Sequence, residues 1–92
     1  MSYRAIKNDF ICKQLFEMKS ELKLYITNKI RTMRLERDMS QKYLADCLDV
    51  SRSFIQKIES PKTNNCYNIE HLNIIAKVFG CSIRDFFPEK PV

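Results

Sequence analysis

Within the stretch Arg52 to Glu59, the apolar Ile55 and Ile58 stand three apart. On a helix they share one face, and Arg52, Ser53, Gln56 and Lys57 project from the other. A guanidinium, a hydroxyl, a carboxamide and an ammonium grouped in this way donate hydrogen bonds to an acceptor-rich surface. No general base stands beside them, so the chemistry they suit is recognition rather than bond-making. The other residue types capable of chemistry are dispersed. His71 is alone, and Cys12, Cys47, Cys66 and Cys81 form no C-x-x-C pair. This spacing suggests neither a metal site nor a redox motif, and the cysteines read as reduced structural thiols. The expectation is a protein without cofactor or metal that is not an enzyme.

Those four donors need a helix whose start is defined and whose back is anchored. Ser51 supplies the N-cap for Arg52–Glu59, and Ser40 supplies one for a preceding short helix, Gln41 to Leu48, with Leu44, Ala45 and Leu48 facing inward. Asp38-Met39-Ser40 and Asp49-Val50-Ser51 read as turns. Upstream, Ile11, Leu15, Met18, Leu22, Tyr25/Ile26, Ile30 and Met33 keep three-and-four spacing. That predicts helix from about 8 to 37, as one long helix or, preferred, two broken near Ser20. Residues 60–67, with Pro61 and Asn64-Asn65, read as a loop. Asn68 then caps a helix carrying Leu72, Ile75, Ala76 and Phe79 and ending at Gly80. Ser82 to Asp85 has the form of a capping box opening one more turn, with Phe86 and Phe87 closing the core.

Composition sets the outer limits. Ninety-two residues with 45% hydrophobic content suffice for one core. A single glycine and three prolines, two of them in the last five residues, leave most of the chain free of helix breakers. No long uncharged apolar run and no leader pattern is present, so the chain is expected to be soluble and cytoplasmic. The net charge of +5 favours a polyanionic partner. It is concentrated at the front, where residues 1–37 hold nine basic and four acidic groups, against three and four in 38–60 and four and three in 61–92.

Two short helices separated by three residues, the first with a small residue at mid-face and the second exposing polar groups from its N-terminal end, have the geometry needed to enter a DNA major groove. The series Ser40-Gln41, Leu44-Ala45, Leu48, Val50-Ser51-Arg52-Ser53, Ile55, Lys57-Ile58-Glu59 resembles the helix-turn-helix of the phage repressor and Cro family, also called XRE. The resemblance covers about 26 to 87 and agrees at a dozen positions in register.

The resemblance implies roles for individual residues. Arg52, Ser53 and Lys57 match base-reading positions, with Gln56 beside them. Arg or Lys would donate to guanine O6 and N7, and Gln56 would pair with adenine. Gln41, Ser51, Lys62, Thr63 and Asn64 match phosphate-contacting positions. Arg34 and Glu59 match a structural ion pair, partly buried because Glu59 adjoins Ile58. Asp38 and Asp49 depart from the family's pattern by replacing glycines, at positions expected to have positive φ.

The expected fold is all-α, a five- to six-helix bundle of the lambda-repressor-like helix-turn-helix type. An N-terminal helical extension (1–25) would precede the helix-turn-helix DNA-binding domain (26–87) and a C-terminal tail (88–92). The expected function is sequence-specific double-stranded DNA binding as a small transcriptional repressor, acting as a homodimer because one recognition helix buries too little for operator specificity. The alternatives are an antitoxin that binds its operator and a toxin protein, or a protein-binding adaptor. Residues 1–25, with the apolar Phe10, Ile11, Leu15, Phe16 and Met18, are expected to serve assembly. The competing idea is an arm of Arg4, Lys7, Lys13 and Lys19 on the phosphates.

Overall fold

The computed structural model describes residues 19–92, and the cysteine at position 12 and the apolar stripe before position 19 lie outside them. Every helix begins where a short polar side chain can satisfy free N–H groups. Ser20 accepts from the Lys23 N–H and opens α1 (Glu21–Glu36), and Ser40 accepts from Tyr43 and opens α2 (Gln41–Leu48). Ser51 accepts from Phe54 and opens α3 (Arg52–Glu59), and Asn68 accepts from His71 and opens α4 (Ile69–Phe79). Each such cap contributes about 0.5–2 kcal/mol. The helix ends are also fixed by backbone chemistry. Asp38, Asp49 and Gly80 have φ of 54°, 56° and 70°, and Asp49 and Gly80 end α2 and α4 in the left-handed conformation. A Cβ at Gly80 would meet nothing within 4 Å, so its φ rather than its surroundings favours glycine there.

The regular elements among the described residues are all helical, four α-helices and one 3-10 turn (Ile83–Phe86). This corrects the count of five to six. The capping box does form, with Ser82 and Asp85 bonding each other's backbone. It opens only four residues because Phe87, which precedes Pro88, is extended (φ −103°, ψ 149°), as proline requires of its predecessor. The further helix expected upstream of Ser20 falls outside the described residues, while the break expected near Ser20 coincides with the start of α1.

The core lies between α1 and the helices that follow. Ile30, Leu44, Ile55, Ile58, Ile75 and Phe86 are fully buried, with Ile26, Ala45, Leu72, Ala76 and Phe79 around them. Burial of each large side chain contributes about 1.5–3 kcal/mol. Ala45, 1% exposed, lies on the face of α2 that packs on its neighbours, where a longer side chain would overpack. On α1 the buried face is turned from the expected stripe. Leu22 and Tyr25 are exposed, whereas Thr27 and Arg34 are buried, the Thr27 hydroxyl being satisfied by the Leu24 carbonyl at 3.2 Å. None of the described helices is long and apolar enough to cross a membrane.

Candidate nucleic-acid interface

Helix α3 turns Ile55 and Ile58 into the core and leaves Arg52, Ser53, Gln56 and Lys57 exposed, so the structure brings the four expected reading residues onto the outer surface of one helix. Phe54 sits between these two faces, half-buried, with its ring edge-on to His71 at 5.7 Å. His71 also accepts the Asn68 N–H through Nδ1, completing the cap of α4. Its described contacts are those of a structural histidine.

The far end of α3 is held by a carboxylate. Glu59 Oε2 accepts from Arg34 Nε at 3.0 Å and Oε1 from Arg34 Nη2 at 3.0 Å, a planar two-point match between guanidinium and carboxylate. Arg34 Nη1 donates to the Met39 carbonyl at 2.6 Å, so one side chain fixes both the α1–α2 turn and the end of α3. Oε1 also accepts from Gln41 Nε2 at 2.9 Å, and Arg31 Nε lies 3.8 Å away. Gln41, expected at a phosphate, therefore spends an amide N–H on Glu59 and is half-buried at the start of α2. Sequence reasoning missed this tie because it joins the first residue of one helix to the last of another.

Ser51 accepts the Phe54 N–H at 3.1 Å, and its own hydroxyl hydrogen remains for donation at the opposite end of α3. Beyond α3, Thr63 Oγ1 donates to the Lys57 carbonyl, Ser60 Oγ accepts the Lys62 N–H at 3.3 Å, and Lys62 is exposed. Asn64 is engaged by α1, since Lys23 Nζ donates to its Oδ1 at 3.0 Å and its carbonyl at 3.3 Å. Lys19, considered for a phosphate arm, is buried with its ammonium donating to the Asn65 carbonyl. Burial pulls that ammonium below its ordinary pKa and pushes the nearby Cys66 thiol up. Cys47, Cys66 and Cys81 are free thiols, each half-buried.

Tyr67 is a second feature that the spacing did not reveal. Its ring is buried and its hydroxyl has no hydrogen-bond partner among the described residues. Burial first, and the Glu59 carboxylate second, hold the phenol protonated far above its ordinary value of 10.0.

A family model described as Helix-turn-helix matches residues 30–86, well over half of the chain. The chain belongs to the XRE-like helix-turn-helix family. Its members are DNA-binding transcription regulators, and α2 and α3 are the two helices of the motif. Among solved structures, a point variant of the restriction-modification controller protein C.Esp1396I is 32% identical, with a TM-score of 0.62 over 75% of this chain and 85% of that chain. The controller protein C.AhdI from Aeromonas hydrophila is 18% identical, with a TM-score of 0.61 over 71% of this chain and 96% of that one. A hypothetical transcription factor from Neisseria is 18% identical, with a TM-score of 0.63 over 78% and 83%. These last two speak to the fold alone. No curated protein matched.

Proposed function

We propose that this protein is a sequence-specific repressor that binds double-stranded DNA in the cytoplasm as a homodimer, without enzymatic activity. The observation that carries this reading is α3 itself. Four donors of complementary chemistry stand exposed on a helix whose back is buried at Ile55 and Ile58 and whose end is locked by Arg34 and Glu59. In this reading Arg52, Ser53, Gln56 and Lys57 contact base edges, and Gln41, Ser51, Lys62, Thr63 and Asn64 contact phosphates, Thr63 through its backbone N–H because its hydroxyl hydrogen is held by the Lys57 carbonyl. Gln41 keeps its remaining amide atoms for that contact. Residues 1–25 serve assembly, which would set two α3 helices about 34 Å apart on successive major-groove faces. The likeness to C.Esp1396I, whose name describes a restriction-modification controller, supports a regulator of gene expression over an adaptor. No observation favours a toxin partner.

Selection of bound sequences from random duplex DNA tests the reading. The expected product is a two-fold symmetric site with half-sites about one helical turn apart. Recovery of no enriched sequence, with an affinity that ignores sequence, would defeat it. Reporter expression from that site, falling when the protein is supplied, tests repression.

A further inference from the structure

The loop between α3 and α4 carries Lys62, Thr63 and Asn64, and after a turn at 61–62 residues 64–67 take part in no backbone–backbone hydrogen bond among the described residues. Its shape is therefore set by side chains. On one side Thr63 Oγ1 ties it to the Lys57 carbonyl at the end of α3. On the other side two ammonium groups at the start of α1 reach across 41 and 46 residues of sequence. Lys23 takes both the carbonyl and the side-chain oxygen of Asn64, and Lys19 takes the Asn65 carbonyl.

Lys19 is 5% exposed. Burying an ammonium is costly, and an apolar side chain of similar length would fill the same space at lower cost. What Lys19 adds is a charged donor to a main-chain carbonyl that has no other described partner. Charge-assisted bonds of this kind are about twice as strong as neutral ones. Two of them on adjacent peptide units fix the path of the chain just after Lys62 and Thr63.

We propose that Lys19 and Lys23 are positioning residues that hold the 60–65 loop in the shape in which Lys62 meets a DNA backbone phosphate. This rests on the reading of that loop as a phosphate contact. The two lysines act through the loop and do not touch the duplex, which separates them from a basic arm. They also link the start of α1, and so whatever precedes it, to the edge of the DNA-binding surface.

The test is a set of affinities for duplex DNA across a salt series, using the full chain and variants whose thermal unfolding shows them folded. Lys62→Ala alone should weaken binding and lower the slope of log affinity against log salt by about one. Combined Lys19→Met and Lys23→Met should weaken binding about tenfold and lower the slope by the same single contact. Adding Lys62→Ala to that pair should then cost almost nothing further, and Lys23→Arg, unlike Lys23→Met, should keep most of the parent's affinity. Trypsin cleavage after Lys62, read without DNA, should rise severalfold in the Lys19→Met/Lys23→Met variant and not elsewhere in the chain.

Additive losses with a slope lowered by two or more would make the lysines phosphate contacts and overturn the proposal. Unchanged affinity in the methionine variant, with Lys62→Ala still impaired, would overturn the positioning role while leaving the phosphate reading intact. An inert Lys62→Ala would overturn both, and it alone reports on the phosphate reading.

Discussion

Arg34 and Glu59 meet through two parallel bonds of 3.0 Å, with 6% and 5% of their side chains exposed. The pair joins α1 to the last residue of α3, and Gln41 and the Met39 carbonyl complete its hydrogen bonding. A buried ion pair of this kind adds little net stability over an apolar pair, since both charges leave water. Its value lies in direction. The two-point geometry permits one orientation of α3 against α1, and the exposed donors of α3 inherit that orientation.

Arg34→Leu is expected to cost about 3–5 kcal/mol, because Glu59 would be left buried and uncompensated. Arg34→Leu combined with Glu59→Leu should recover a large part of that loss while still impairing DNA binding. Urea unfolding of the single and double variants, with affinity measured alongside, checks both halves. Equal destabilisation by single and double variants would show that burial of the lone charge is not the cause.

Arg52→Ala is expected to weaken binding to the preferred site by about 1–3 kcal/mol and to flatten the preference at one base pair, with Lys57→Ala acting at another. Both side chains are exposed, so folding stability should change by less than about 0.5 kcal/mol. Competition binding against a panel of single-base variants of the site reads this. A loss equal on all sequences would make Arg52 a phosphate contact.

Asp49→Gly is expected to stabilise the fold by up to about 1 kcal/mol. Asp49 is exposed with φ 56°, a strained conformation for a residue with a Cβ, and glycine relieves it at the expense of a more flexible unfolded chain. Asp38→Gly, at φ 54°, should behave alike. The comparison is of unfolding midpoints, and destabilisation of both variants would show that the carboxylates make up for the strain.

The parts of this fold legible in the sequence are those set by neighbours along the chain. Ser20, Ser40, Ser51, Asn68 and Ser82 cap the helices expected of them, and Asp38, Asp49 and Gly80 adopt the expected positive φ. The outward face of α3 followed from Ile55 and Ile58 alone. Arg34 with Glu59 was visible only through the family resemblance. What stayed hidden joins distant segments: Lys19 and Lys23 to the 60–65 loop, Gln41 to Glu59, and the exposure of Leu22 and Tyr25. Helical periodicity counts apolar residues on a face. It has no means of seeing that α1 buries Thr27 and Arg34 because polar partners wait for them elsewhere.

Tyr67→Phe is expected to leave stability at neutral pH unchanged or raise it by about 1 kcal/mol, and to reduce the loss of stability above pH 10. The buried hydroxyl has no partner among the described residues, so the fold carries its desolvation cost without a compensating bond, a cost phenylalanine lacks. The pH dependence follows from the raised phenol. In the unfolded chain Tyr67 ionises near 10.0, whereas in the fold burial and the Glu59 carboxylate keep its proton on to much higher pH. Between those two values the unfolded chain binds fewer protons than the folded one, so stability falls as pH rises. The Tyr67 contribution is thus fully present below about pH 10 and is lost progressively above it. Phenylalanine has no proton to lose, and urea midpoints of the variant should decline less than those of the parent between pH 9 and about 11.5. Parallel declines would mean that the hydroxyl is solvated in the folded protein, and that Tyr67 does not sense the Arg34–Glu59 pair from within the core.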